Sequence, residues 1–478
     1  MKYDVVIVGG GPSGVQTALS ARQAFPNKTI ALIRREEIAL QIGALPHALG
    51  SLDSLEECTF PDLLLTQRDV EIILGDVAGC QPSVARLHDS REVSFDKLVL
   101  AVGGRPRTLN IEGITQPGVF RITREYQTLK SVREALKAAR SILVIGGGYT
   151  GIELCNELTR LGKDITLVES KPSLLPGLVD QEFAQIVKDE LVQTGVQVTT
   201  GCPVRSLVGK RSVLGADLAD GRWVTADLVL LAQPFQPDIR LAQGMGLRCD
   251  PERGIFVDEY LRTSAPDIYA VGQCAAGRSF FSAERQRTTL TSEAMAQARL
   301  AGSNLFAINV AKSYAGSLGS FACAAGSLVL GVTGLTEQKA AAIGLDYVVG
   351  RAETIDRHPA RLAGANRVLV KLLFERSSRH LVGAQVLGGE STGECVNMLA
   401  VMVQKRITDM DIDTLQLGTH PRLTPSPLGY GVMGATVDAV RNWSSAGQRI
   451  PSGRTNTEAR RSPDEPSREG IRPTPRQG

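Results

Sequence analysis

The sequence predicts an α/β protein with two Rossmann-like dinucleotide-binding units. An apolar, strand-like run at residues 141–145 leads into Gly146-x-Gly148-x-x-Gly151, then a helical stretch, a second strand and the acid Glu169. The same device opens the chain, where residues 5–8 lead into Gly9-x-Gly11-x-x-Gly14. A glycine motif that occurs twice in full strand–turn–helix context is far more specific than one lone motif.

The spacing of the glycines has a physical reason. The first glycine permits a tight turn, the second lets the backbone approach a pyrophosphate, and the third lets helix and strand pack closely. The helix that follows presents free N–H groups and the positive end of its dipole to the phosphates. Glu169 lies 18 residues after Gly151, where its carboxylate can accept a hydrogen bond from a ribose hydroxyl. The alternative is that both turns only pack helices on strands.

Composition bounds the class of protein. A length of 478 residues suggests about three domains, and 43% hydrophobic with 22% charged residues is ordinary for a globular protein. The net charge of +3 gives no reason to expect a nucleic-acid partner. No apolar run reaches the roughly 20 residues of a membrane span, and the N-terminus enters a strand at once. We therefore expect a cytoplasmic protein without a membrane span.

The eight cysteines are widely spaced. No two of them lie within 20 residues of each other, which excludes a local CxxC zinc site or redox pair. The five histidines show no ligand spacing either. Scattered buried thiols in a reducing compartment are the simplest interpretation, and we expect no metal site.

The pattern of strand-like and helical runs changes along the chain. We expect a first unit at residues 1–113 and a second at residues 114–243, followed by residues 244–316, whose two strand-like runs and helix precede the next change. From residue 317 to 443, strand-like and helical runs alternate without a glycine motif, as in an α+β unit. The remaining residues, 444–478, are rich in Ser, Pro, Gly and Arg, and we expect them to be disordered because they offer little to bury.

Together these residues resemble the flavoproteins with two dinucleotide-binding domains, the FAD/NAD(P)-dependent pyridine nucleotide-disulfide oxidoreductases. Within that family the chain looks like the branch of NADH oxidases, NADH peroxidases and coenzyme A disulfide reductases. The resemblance implies FAD at the first turn, NADH at the second, an NAD domain inserted into the FAD domain, and a C-terminal α+β dimerisation domain. It also implies a homodimer.

The resemblance assigns candidate cofactor-binding residues. The strand closing the FAD half and a late FAD-binding segment match residues 96–106 and 263–272. The FAD candidates are Gly9, Gly11, Pro12, Ser13, Gly14, Arg34, Arg35, Glu36, Ala101, Gly103, Gly272 and Gln273. The NADH candidates are Gly146, Gly148, Gly151, Glu153 and Glu169.

Three positions depart from the family pattern. Gly43 stands where the disulfide-reductase branch has its redox cysteine, which argues against chemistry through a thiol. Gln273 replaces an aspartate that accepts from a flavin ribityl hydroxyl, so a neutral hydrogen bond replaces a stronger charged one. Arg34 stands where an acid is expected. Three interpretations are open: Glu36 or Glu37 reaches the ribose, Arg34 or Arg35 pairs with a phosphate, or the charged cluster is only solvated.

Two further residues are candidate catalytic groups by resemblance. Tyr149 matches a tyrosine that covers the flavin face and swings aside for nicotinamide; otherwise it is a packed aromatic. His420 matches the histidine of a His-Pro segment that reaches the flavin of the partner subunit, although Pro425 replaces the acid that orients it. An imidazole can donate a proton near pH 7; otherwise His420 is a loop residue without a catalytic role.

Two functions are therefore open. In the first, an enzyme passes hydride from NADH to FAD and then electrons directly to oxygen, a quinone, polysulfide or a small redox protein, without a cysteine relay. In the second, the protein is a non-enzymatic dinucleotide-binding sensor or scaffold that has lost turnover. Gly43 and Gln273 motivate the second.

Overall fold

The structure, a computed structural model, describes residues 1–282, 284–307 and 313–446. Its strands in chain order are β1 (Lys2–Val8), β2 (Ile30–Arg34), β3 (Val70–Leu74), β4 (Val77–Gln81), β5 (Val84–Leu87), β6 (Glu92–Leu100), β7 (Gly104–Pro106), β8 (Val119–Arg121), β9 (Ser141–Ile145), β10 (Asp164–Glu169), β11 (Gln197–Thr200), β12 (Val204–Gly209), β13 (Val213–Leu218), β14 (Trp223–Thr225), β15 (Leu228–Leu231), β16 (Phe235–Pro237), β17 (Cys249–Asp250), β18 (Gly254–Phe256), β19 (Ile268–Ala270), β20 (Ala275–Arg278), β21 (Arg285–Arg287), β22 (Phe321–Ala325), β23 (Leu328–Gly334), β24 (Tyr347–Ile355), β25 (Arg367–Glu375) and β26 (Leu381–Gly388). Its α-helices are α1 (Pro12–Ala24), α2 (Leu45–Leu49), α3 (Leu63–Thr66), α4 (Tyr126–Ala138), α5 (Tyr149–Thr159), α6 (Gln181–Gln193), α7 (Arg240–Gly244), α8 (Thr291–Ser303), α9 (Glu337–Ala342), α10 (Thr392–Gln404), α11 (Asp409–Asp413) and α12 (Gly431–Ala446).

The first sheet has the strand order β3-β2-β1-β6-β5-β4. Strands β1, β2, β3 and β6 run parallel, and every residue of β2 is buried, as expected of a parallel strand covered on both faces. Strand β19 joins this sheet from much later in the chain and pairs in parallel with β6. On this basis we propose that residues 1–113 and 244–316 form one domain.

The second sheet repeats the same plan. Its order is β11-β10-β9-β15-β8, and all the strands are parallel. Strand β9 leads through the second glycine turn into α5, just as β1 leads into α1. A short ribbon of β16 against β7 joins the two units beside their turns. We propose residues 114–243 as the second domain.

The C-terminal region is an α+β unit. Its antiparallel sheet has the order β22-β23-β26-β25-β24, and α10 and α12 pack on it. Helix α12 extends to Ala446, so the expectation of disorder from residue 444 is wrong for residues 444–446, where the helix continues. The rest of the expected tail, residues 447–478, lies outside the described residues. Among the described residues, no helix is both long enough and apolar enough to cross a membrane.

A buried lysine joins the second unit to the C-terminal sheet. Lys371 on β25 is 1% exposed, and its Nζ lies 2.6 Å from Asp180 and 2.5 Å from both Glu182 and Glu337. Burial alone would lower the pKa of Lys371, but its hydrogen bonds to the three carboxylates outweigh this and raise it. The carboxylates are close enough together to hold a metal ion, but the ammonium group already lies among them.

Replacing Lys371 with Met leaves the buried Asp180 carboxylate without its ion-pair partner, whereas Glu182 and Glu337 still pair with Arg351. We expect the free energy of unfolding to fall by about 3–5 kcal/mol, the usual cost of breaking a buried ion pair. Urea denaturation followed by circular dichroism measures the change. Lys137→Met is the matched control, because Lys137 pairs with Glu134 in solvent and is worth about 1 kcal/mol at most. Equal losses in the two variants would contradict the role given to Lys371.

Candidate functional site

Both glycine turns are held by the same close backbone contact. A Cβ on Gly14 would lie 1.9 Å from the carbonyl oxygen of Gly9, and a Cβ on Gly151 would lie 1.9 Å from that of Gly146. Gly9 and Gly146 adopt φ of +122° and +117°, which other residues rarely adopt. Glycine is therefore required at all four positions.

The middle of each turn is open. No atom lies within 4 Å of the position of a Cβ on Gly11 or on Gly148, and these residues cap the N-termini of α1 and α5. Free backbone N–H groups and the positive dipole end thus face empty space in both units. This geometry fits a pyrophosphate at each turn.

The strand that closes each unit also repeats the same contact. A Cβ on Gly9 would lie 2.2 Å from the carbonyl oxygen of Ala101, and a Cβ on Gly146 would lie 2.5 Å from that of Ala232. Gly103 follows in the first unit with φ of +72°. The duplication inferred from the sequence thus extends from the turns to the closing strands.

A cavity of about 800 Å³ adjoins the first turn. It extends from the end of β2 past the glycine turn to residues of the second unit, and its volume suits a large cofactor. The late segment contributes Gln273 to the lining of this cavity. The preceding Gly272 has φ of +74°, and a Cβ there would lie 2.4 Å from the Ser13 hydroxyl oxygen. The structure therefore brings together Gly272 and Ser13, two of the candidate cofactor-binding residues.

The charged cluster after β2 is ordered by one buried arginine. The Arg34 guanidinium makes a bidentate pair with Asp62, at 2.6 and 2.7 Å, and also donates to the carbonyl of Glu37. Arg34 is therefore not part of a solvated cluster, and its terminal nitrogens are committed to protein groups. Arg35 and Glu36 pair with each other at 3.0 Å on the cavity rim.

Glu169 occupies the matching position in the second unit. It is 7% exposed, and its carboxylate accepts from the backbone N–H of Gly147 and of Lys171, both at 2.7 Å. The Ser170 hydroxyl donates to it as well. The carboxylate thus lies against the glycine turn, where an adenosine ribose would be bound.

Gln273 lines the cavity and has two partners within the protein. Its Oε1 accepts a hydrogen bond from Arg124, and its Nε2 donates to the carbonyl of Thr289 at 3.3 Å. Arg124 escaped the sequence analysis, because no motif marks it. The sequence analysis also missed Gln233, which directly follows Ala232. Both polar atoms of its side-chain amide are buried and have no hydrogen-bond partner in the described structure.

Tyr149 begins α5 beside the C-terminal sheet. Its ring centroid lies 6.2 Å from that of Phe321, and the Cys323 thiol lies 3.9 Å from its carbonyl oxygen. One turn later, burial raises the pKa of Glu153 to about 7. Burial, reinforced by Glu153, raises the pKa of Cys323 well above its usual range. Cys323 is therefore a protonated thiol.

The position of the missing thiol is empty of side chains. No atom lies within 4 Å of the position of a Cβ on Gly43. Cys58 lies nearby, with its sulfur 3.6 Å from the carbonyl of Gln41, but it is fully buried and burial raises its pKa. His47, in the same segment, pairs at 3.1 Å with Glu157, which is buried. None of these groups replaces the reactive cysteine.

His420 differs from these groups in its surroundings. It is exposed, its backbone N–H donates to the Thr424 hydroxyl at 2.9 Å, and its Nδ1 accepts from the backbone N–H of Arg422. These contacts all lie within its own loop. Within the single chain, His420 is not among the residues that line the cavity, and its role across a dimer stays a prediction.

Comparison with known families settles the class of protein. Residues 3–298 match the model of the pyridine nucleotide-disulphide oxidoreductases, and residues 321–427 match the dimerisation domain of the same family. The chain belongs to the pyridine nucleotide-disulphide oxidoreductase family. It is an FAD-dependent NAD(P)H oxidoreductase, and the alternative of a sensor without turnover is set aside.

Individual relatives differ in the acceptor that their names state. The chain is 29% identical over 459 residues to an NADH oxidase of Methanocaldococcus jannaschii, covering 92% of this chain and 99% of that protein. It is 29% identical over 311 residues to a rubredoxin-NAD(+) reductase of Pseudomonas putida, covering 63% and 79%. The structure of an NAD-dependent persulfide reductase from A. fulgidus matches with a TM-score of 0.85 and 25% identity, covering 93% and 84%.

We expect turnover to survive cysteine alkylation. Gly43 carries no thiol, and burial raises the pKa of Cys58, Cys323 and Cys274, in the last case to about 11, so thiolates are scarce at neutral pH. NADH oxidation is measured before and after treatment with iodoacetamide. The urea-unfolded protein, whose thiols should all react, is the control. Rapid inactivation of the folded enzyme, with protection by NADH, would reveal a catalytic cysteine.

Proposed function

We propose that the protein oxidises NADH through bound FAD and passes the electrons directly to an acceptor, without a cysteine relay. The observation that carries this proposal is the pair of open glycine turns, with a cavity at the first of them; Gly43, at the position of the family's redox cysteine, supplies no thiol. FAD, when bound, accepts a hydride and releases electrons to the acceptor. The protein would bind the two cofactors, orient them and exclude water.

The residues present fit both cofactors. The first turn offers open N–H groups for the pyrophosphate of FAD, and the buried Nε atoms of Arg34 and Arg124 have no protein partner. The second turn offers the same for NADH, and the unpaired amide of Gln233 lies at its closing strand. We propose the residues named from the sequence as the binding sets, with Arg124 added to the FAD site.

Two side chains would act where the units meet. Tyr149, at the start of α5, would shield the flavin and move aside for nicotinamide. Glu153, whose pKa burial raises to about 7, would hold or release a proton at its carboxylate near neutral pH. Both belong to the second unit, from which the nicotinamide approaches.

The relatives' names support three classes of acceptor: oxygen, a persulfide or polysulfide, and a small redox protein. A quinone is the fourth class to be tested. We also propose a cytoplasmic location, because all eight cysteines are free thiols, as is usual in a reducing compartment.

An anaerobic titration tests the proposal. The purified protein should carry flavin absorbance that NADH bleaches without any added thiol, and readmitted acceptors should restore the colour. Oxygen, a polysulfide, a quinone and rubredoxin form the acceptor panel. A colourless protein that gains no flavin from excess FAD, or a flavin that NADH does not bleach, would refute the proposal.

We predict a preference for NADH over NADPH of about a hundredfold in kcat/KM. A 2′-phosphate would remove the hydroxyl donor and place about two negative charges beside the buried Glu169 carboxylate. Glu169→Ala should shrink the preference mainly by improving NADPH. Glu169→Gln keeps an oxygen that can accept from the Gly147 N–H but removes the negative charge. It therefore separates the effect of the charge from the effect of disturbing the glycine turn. An unchanged ratio in both variants would remove Glu169 from the ribose site.

A homodimer is also predicted. The matched dimerisation domain supports it, and so does the loop around His420, where Leu423 is 64% and Leu428 100% exposed in the single chain. Light scattering at micromolar concentration should give twice the mass of the chain. The double variant Leu423→Ser, Leu428→Ser should weaken the dimer, whereas Leu63→Ser, at an exposed leucine of the first unit, should not. A monomeric wild type would contradict this prediction.

A further inference from the structure

A buried arginine lies where the two units meet at the cavity. Arg124 follows β8 of the second sheet, and it lines the cavity together with Gly103 of the first unit and Phe235 of the ribbon. Its guanidinium carbon lies 4.8 Å from the centroid of the Phe235 ring, and its Nη1 lies 3.1 Å from the position of a Cβ on Gly103. Its Nε is buried without a partner.

The hydrogen-bond partner of this arginine is neutral. Gln273 accepts from Arg124 through Oε1, and its Nε2 is committed to the carbonyl of Thr289. The amide is therefore held in one orientation, with its oxygen towards the guanidinium. Over residues 1–282, 284–307 and 313–446, no carboxylate forms an ion pair with Arg124. Gln273 thus holds the guanidinium of Arg124 in place without neutralising its positive charge.

The charge persists at neutral pH. Burial lowers the pKa of Arg124 to about 10, which still leaves the guanidinium protonated. Buried charges act more strongly than solvated ones, because little water screens them. An anion formed in this part of the cavity would therefore be stabilised.

The position of Arg124 indicates which part of a bound cofactor it faces. Arg34, at the end of β2, marks the adenosine end, and the glycine turn marks the pyrophosphate. Arg124 lines the cavity from the second unit, the unit from which nicotinamide would approach the flavin. Burial raises the pKa of Tyr149, the side chain proposed to cover the flavin, and the charge of Arg124 opposes this rise, so the guanidinium lies near the proposed position of the flavin ring.

We propose that Arg124 supplies the positive charge that stabilises reduced flavin, and that Gln273 is a positioning residue that holds this charge without cancelling it. This inference rests on the proposed function. Transfer of a hydride from NADH carries two electrons and one proton to the flavin and leaves NAD⁺. The reduced flavin then bears one more negative charge than the oxidised flavin, so a nearby cation raises the reduction potential.

The test measures the midpoint potential of the bound flavin in the holoenzyme, by equilibration with redox dyes. Gln273→Glu keeps the size of the side chain and places a carboxylate against Arg124. It should reduce the relative affinity for reduced over oxidised flavin at least tenfold, which lowers the potential by about 30 mV for a two-electron couple. Arg124→Met should lower the potential as well.

Two variants serve as matched controls. Arg124→Lys keeps the charge, and Gln273→Asn keeps a neutral amide, so each should shift the potential by less than its neutralising counterpart. If Arg124→Met fails to retain FAD, Gln273→Glu alone decides. A wild-type potential in Gln273→Glu would overturn the inference while FAD binding and bleaching by NADH leave the proposed function intact. A wild type that binds no FAD would instead refute the proposed function.

Discussion

The architecture depends on a contact between two glycines that occurs once in each unit. The N-terminus of α1 can approach β1, and that of α5 can approach β9, only because no Cβ separates Gly14 from Gly9 or Gly151 from Gly146. That approach aims free N–H groups at open space and brings the closing strand onto the turn. Pyrophosphate binding, the cavity and the relation of the two cofactors all follow from this packing.

The sequence was sufficient to predict this part, because glycine spacing and apolar strands are local signals. The two turns and the α+β character of the C-terminal region could be predicted from such signals, whereas the return of the chain to the first unit was implied only by the family resemblance. Contacts between side chains that are far apart in the sequence could not be predicted from it. The pair of Arg34 with Asp62, and that of Arg124 with Gln273, join residues 28 and 149 positions apart, without any motif.

The two units use opposite charges at equivalent positions. A Cβ on Gly147 would meet Glu169, and a Cβ on Gly10 would meet Arg34, so the same place after the second strand holds an acid in one unit and a base in the other. Glu169 keeps acceptor capacity beside its turn. Arg34 instead pairs with Asp62 of the same unit, and this pair explains how a cation is tolerated where the fold usually has a carboxylate.

The late strand β19 also has a consequence for how the chain acquires its structure. Leu98 and Leu100 of β6 are fully buried, and their partners Ile268 and Ala270 come from beyond the whole second unit. During synthesis at about 5–20 residues per second, this apolar edge of β6 remains unpaired for on the order of 10–30 s before β19 has been made. All strands of the second sheet precede β19 in the chain, so the second unit can complete its sheet before the first sheet receives its last strand.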